Sequence, residues 1–202
     1  MKALTRLLAA SATAALLVTG CSGAEPATMV IEAEYPEYKS AEELFAQATL
    51  VVEATLSTTS RVRREAEPVP DPSDTDPLSN PMAGAPQQAD PSAAAPPGDV
   101  VTVHDAKVLK VFKGSAKPGQ TVEVKELGGT IDGVKYEVEH ATPLKGGGSY
   151  LLFLETYADS PAAMLNSDQA QYAVSGTGDY VALPANSIKL TADDVSRLSD
   201  KD

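Results

Sequence analysis

The chain has 202 residues, with 28 acidic against 16 basic side chains and a formal net charge of −12. So negative a surface repels phosphate backbones and anionic headgroups, so neither nucleic acid nor direct adsorption to a membrane surface is expected. With three Phe, seven Tyr and no Trp the core must be small and aliphatic, and a single Cys excludes an internal disulfide.

Residues 1–20 read as a leader. Lys2 and Arg6 are followed by a largely apolar stretch of 12 residues, Leu7 to Val18, too short for the roughly 20 that cross a bilayer. These are the proportions of a secretory signal. The stretch "LVTGC" resembles the lipobox of bacterial lipoproteins. That resemblance implies cleavage before Cys21, acylation of its sulfur with diacylglycerol and palmitate-type chains, and anchorage at the outer face of the cell membrane. An ordinary signal peptide with an incidental Cys is the alternative. The mature chain would have 182 residues and a net charge of −14.

Residues 21–39 read as the lipidated Cys and a tether with Pro26 and Pro36. Eighteen residues of flexible coil span roughly 23 Å. A barrel domain is expected over 40–190. Ser40 and Glu43 form a capping box for a short helix, "SAEELFAQA". In "LVVEATL", Leu50, Val52, Ala54 and Leu56 share one face, with Val51, Glu53 and Thr55 opposite. "RVRR" (Arg61 to Arg64) reads as a solvated strand end, with an anion-binding or protease-sensitive patch as the alternative. Residues 67–99 hold nine of the 15 prolines and five Asp, with no Lys or Arg. Such a segment cannot bury enough apolar surface to offset its ordering entropy, so it reads as a disordered Pro/Asp/Ala-rich insertion.

Strand patterns resume in "VTVHDAKVLKVFKG". His104, Ala106 and Val108 share a face, then the apolar phase shifts to Leu109 and Val111, the signature of a β-bulge. "TVEVKEL" places Val122 and Val124 inward, and Gly128-Gly129 predicts a kink. Asp132-Gly133 joins "GGTI" to "VKYEVEH" as a two-residue hairpin turn, with Val134, Tyr136 and Val138 inward. "SYLLFLETY" is the most apolar run beyond the leader. Tyr150, Leu152 and Leu154 fall on one face and Leu151 and Phe153 on the other, so it reads as a central strand. A hairpin from "QAQYAV" to "DYVAL" and a second capping box, Thr191 with Asp194, close the chain, with a helix in 191–202. Together these predict a mostly β protein: a small barrel of six or seven strands, OB-like, with a short helix at each end, or a two-sheet sandwich.

Glu43-Leu44, Val51-Val52, Lys113-Gly114, Gly128-Gly129, Pro143-Leu144, "YLLFL" and "QAQYAV" resemble, in order and spacing, a widespread group of small secreted bacterial domains. In that group the glutamine of the last motif is usually followed by Gly, where this chain has Ala170. The resemblance implies an OB-like barrel similar in outline to netrin-type protease-inhibitor domains, and no established activity.

No catalytic constellation stands out. "AVSGTG" lacks the first glycine of a nucleophile elbow. Ser149 reads as a turn serine rather than a nucleophile. Asp71, Asp74 and Asp76 lack the glycine and glutamate of a calcium loop. Gly128-Gly129 could offer backbone to a ligand. His104 is in phase with Ala106 and Val108, and His140 with Tyr136 and Val138. Were their strands paired, the two rings and one carboxylate could hold a metal. Two structural histidines, no metal and no cofactor are the expectation. The chain therefore reads as a non-enzymatic interaction module, lipid-anchored through Cys21, for an envelope protein or a cationic ligand. A protease-inhibitor-like domain, or an envelope hydrolase, is the alternative.

Overall fold

The computed structural model describes residues 26–65 and 98–201. Cys21, Asp71, Asp74, Asp76 and nearly all of the insertion lie outside the described residues. The elements run β1 (Ala27–Ile31), α1 (Ala41–Gln47), β2 (Leu50–Glu65), β3 (Asp99–Lys113), β4 (Thr121–Leu127), β5 (Gly129–Ile131), β6 (Val134–Val138), β7 (Ser149–Glu155), β8 (Ala162–Met164), β9 (Gln171–Val174), β10 (Tyr180–Ala182) and α2 (Ala192–Ser199).

Seven strands form one sheet in the order β10-β9-β7-β2-β3-β4-β8, and three form a second in the order β1-β6-β5. Among the described residues, the expected small OB-like barrel of six or seven strands is thus replaced by ten strands in two sheets. Three features account for this. The Gly128-Gly129 corner diverts β5 and β6 out of the main sheet, β1 arises inside the expected tether, and β8 carries no sequence signal. The main sheet still curls. Its last strand, β8, pairs in parallel with β4 at Val124↔Ala162 and antiparallel with β7 at Leu154↔Met164.

Residues 26–39 of the expected tether are built into the fold. Ala27–Ile31 pairs in parallel with β6 in register Ala27↔Val134 to Ile31↔Val138. Tyr38 is buried, and Gln169 both accepts from its N–H and donates to its carbonyl at 2.9 Å. Asn166 donates to Pro36 O at 2.8 Å. These amide side chains, remote in sequence, replace the backbone partners that an extended segment lacks.

β7 is central, as its two-sided apolar pattern demands. It pairs with β2 along one edge and with β9 along the other. Tyr150, Leu152 and Leu154 enter an inner core with Leu50, Val52, Ala54, Leu56, Ala106, Val108 and Val124. Leu151 and Phe153 enter an outer core beneath α1 and α2, with Phe45, Val51, Tyr172, Val195 and Leu198. Both helices carry the expected N-cap residue, but only α2 has the full expected capping box. Ser40 Oγ accepts from Glu43 N, and Thr191 with Asp194 makes a full capping box. The Glu43 carboxylate reaches Lys39 N rather than Ser40 N.

The bulge is real, but Leu109 is not an inward residue. The ladder steps from Ala54↔Val108 to Glu53↔Lys110, leaving Leu109 unpaired and 43% exposed, while Val111 packs against the inner core. Lys113 and Gly114 also find physical reasons. Lys113 Nζ donates to Phe45 O and Ala46 O at the end of α1, where a cation favours the helix dipole. Gly114 has φ +92 and lies so close to Thr49 that a Cβ would stand 2.7 Å from its carbonyl oxygen.

Tyr172 is fully buried and donates to Ile188 O at 3.2 Å. Burial pushes its hydroxyl from 10.0 up to about 12. A raised folded-state pKa contributes stability that is complete below the unfolded value and lost as pH rises through the folded one. Unfolding free energy measured in urea is therefore expected to fall between about pH 10 and pH 12. Two units correspond to about 2–3 kcal/mol. Tyr172→Phe should flatten that decline in part, since Tyr180 and Tyr157, pushed up by burial and by their hydrogen bonds to Glu53 and Glu155, keep a share of it. A decline equally steep in the variant would refute the assignment.

Candidate binding cleft between the two sheets

β4 ends at Leu127, Gly128 N donates to Val100 O at 2.7 Å, and Thr102 Oγ1 donates to Gly128 O at 2.8 Å. The chain then turns through Gly128 (φ +98) and Gly129 (φ +136) into β5. Asp132 (φ +53) and Gly133 (φ +74) make the left-handed two-residue turn that returns it as β6. The double glycine is a corner, and it holds the three-stranded sheet off the ends of β3 and β4. A cleft of about 1140 Å³ lies between the two sheets. Tyr35, Tyr136 and Tyr157 contribute aromatic surface to it, and six carboxylates line it against two lysines.

One wall carries a polar network. Lys125 Nζ donates to Glu65 Oε2 at 2.7 Å and to Ser160 Oγ at 2.9 Å, and Ser160 Oγ donates to Glu65 Oε1 at 2.6 Å. The same ammonium lies 5.1 Å from the Tyr157 ring centre. Burial raises the Glu65 pKa, but the hydrogen bonds from Lys125 and Ser160 outweigh it and hold the carboxyl below its usual range. Burial, the hydrogen bond donated to Glu155 and the nearby acids push the Tyr157 hydroxyl up to about 12. A serine–lysine pair acts as nucleophile and base only with a neutral amine. Here an ionised Glu65 binds the amine, and the serine proton points at the carboxylate. The arrangement positions Ser160 without activating it.

A second pair lies where β3 and β4 meet the cleft. His104 Nε2 is 2.8 Å from Glu126 Oε1, and Leu144 N donates to Glu126 Oε2 at 3.0 Å. Both side chains are at least nine-tenths buried. His104 Nδ1 is buried with no hydrogen-bond partner among the described residues. Glu126 lines the cleft, and burial together with Glu126, Asp168 and Asp99 raises the pKa of Tyr35 opposite.

The histidines do not meet. His104 faces inward with Ala106 and Val108, as their shared phase requires. His140 lies beyond β6 at φ +62, its side chain 88% exposed and 3.4 Å from Glu139. β6 ends at Val138, so the strand phase that would carry His140 inward has stopped two residues earlier. Among the described residues no three His, Cys, Asp or Glu side chains gather as metal ligands. Ser149 opens β7 with its hydroxyl 2.8 Å from that of Thr55. The arginines of "RVRR" are taken up within the fold: Arg61 by Asp105 and Glu123, Arg63 by Glu65, and Arg64 by the Tyr136 hydroxyl and Asp132.

Sequence reasoning missed Tyr35, Glu65, Lys125, Glu126 and Ser160. Glu126 alone had a signal, since it continues the inward phase of Val122 and Val124. Lys125 and Ser160 are brought together by a parallel pairing between β4 and a three-residue strand, which no periodicity announces, and Tyr35 and Glu65 carried no signal either. No family model, curated protein or solved structure matches the chain.

Proposed function

We propose that this chain is a non-enzymatic binding module of the bacterial cell envelope, held at the outer face of the membrane by acyl chains on Cys21, with the cleft as its working surface. The cleft carries the reading. It is large, framed by rigid strands, partly apolar, and furnished with polar groups at fixed positions, the usual make-up of a ligand site. Its polar groups bind one another in ion pairs and caps rather than forming an activated nucleophile. The curl β7-β2-β3-β4-β8 supports an OB-like description of the main sheet, the architecture common to netrin-type inhibitor domains and many binding modules.

Anchorage and cleft are tested separately. Cys21→Ala is expected to abolish fatty-acid labelling and to release the domain from membranes; undiminished labelling refutes the lipoprotein reading. Thr130→Trp places a bulky ring at an exposed cleft-lining position on β5. Crosslinking in detergent-solubilised envelope is expected to lose the wild-type partner in this variant while thermal unfolding is unchanged. Identical crosslinks from both proteins would overturn the cleft as the working surface.

A further inference from the structure

We infer that the free edge of β1 accepts a basic, extended peptide segment of a partner protein as an added strand along the mouth of the cleft. This rests on the binding-module reading and names its partner's chemistry. Among the described residues β1 pairs with β6 alone, so one of its edges is open. Ile31 O accepts from Glu139 N. The N–H and C=O of one residue in a strand point to the same side, so Ala27, Met29 and Ile31 bond toward β6. Thr28 and Val30 turn theirs to the open side.

Natural sheets guard their edges with Lys, Pro, bulges or very short strands. The free edges β5 and β10 are three residues long. β1 is five residues long, contains no Lys, Pro or bulge, and exposes Met29 by 53% and Val30 by 59%. Val30 also lines the cleft, beside its pairing partner Glu137, so an added strand would run along the cleft mouth.

Charge selects the occupant. Glu32, Glu34 and Glu37 follow β1 and are exposed, and no Lys or Arg occurs between Arg6 and Lys39. The cleft itself is lined by six carboxylates and two lysines, the latter bonded to Glu65 and Glu137. A strand with Lys or Arg at alternate positions complements both. A second copy of this chain would bring more carboxylates to the same seam, which is unfavourable. Main-chain bonds would supply affinity and the alternating cations specificity, as in other strand additions.

The probe is a capped, fluorescently labelled peptide of alternating lysine and valine, titrated against the full chain by polarisation. Binding is expected, weakening as salt rises. It should be lost when alternate peptide nitrogens are methylated, and absent for the glutamate–valine counterpart. Val30→Pro removes an outward N–H while sparing the β6 ladder, and should lower affinity about tenfold, the scale of one or two main-chain hydrogen bonds. The double variant Glu32→Lys/Glu34→Lys leaves the backbone intact and should weaken binding comparably, which keeps the test sound if the proline variant misfolds. Failure of the lysine–valine probe to bind, or binding indifferent to N-methylation and to these variants, overturns the inference. So does a β1-dependent dimer in sedimentation equilibrium, which would assign the edge to a second copy. Crosslinks lost in Thr130→Trp but kept in Val30→Pro and in the double variant would leave the cleft reading standing and overturn the edge.

Discussion

Leu152→Ala is expected to lower the free energy of unfolding by about 2–5 kcal/mol, the usual cost of truncating a buried leucine. Leu152 is 0% exposed and sits between Val52 of β2 and Gln171 of β9. All the inner-core residues but Leu144 are strand residues fixed by main-chain bonds, so the walls of the resulting cavity cannot collapse far. The upper half of the range is therefore expected. Val181→Ala, on an edge strand and 51% exposed, is the matched control and should change stability by less than about 0.5 kcal/mol. Urea denaturation of both variants decides the matter. Equal, small effects would mean that β7 is not the centre of the core.

That prediction could be made from the sequence because β7 carries its own evidence. A run apolar on both faces can be satisfied only by a strand covered on both sides, and the two cores divide its residues as the alternation does. The caps at Ser40 and Thr191 and the Asp132-Gly133 turn were legible for the same reason, since each is a local geometry with a local chemical requirement. β1 was not legible. "ATMVI" is short, follows Pro26 and is mostly exposed, and it becomes a strand only because β6 supplies partners more than a hundred residues away. The site was harder still. Lys125 and Ser160 meet across a β4–β8 ladder of only two residue pairs, and neither residue type is unusual on a strand or in a turn. His140 misled because strand phase was extended past Val138, where a left-handed residue ends it.

Gly128 is where fold and site depend on one residue. At φ +98 a side chain is strained, at a cost of about 1–3 kcal/mol. A Cβ there would also stand 2.8 Å from Tyr136 O, a backbone atom of the strand facing the corner. A backbone atom cannot rotate aside as a side chain can, so β6 must shift as a unit and carry Tyr136 and Glu137 of the cleft wall with it. Gly128→Ala is therefore expected to lower stability by at least the strain term and to reduce partner crosslinking at temperatures where the variant remains folded. Gly133 separates strain from displacement. It too has a positive φ, +74, but a Cβ there meets nothing within 4 Å. Gly133→Ala should cost only about 1–2 kcal/mol and leave crosslinking at the wild-type level. If both variants lose the same stability and both retain the partner, the double glycine is a turn and nothing more, and the cleft's width is set elsewhere. If Gly128→Ala alone loses the partner, the corner sets the spacing between the sheets, and with it the shape of what the cleft can hold.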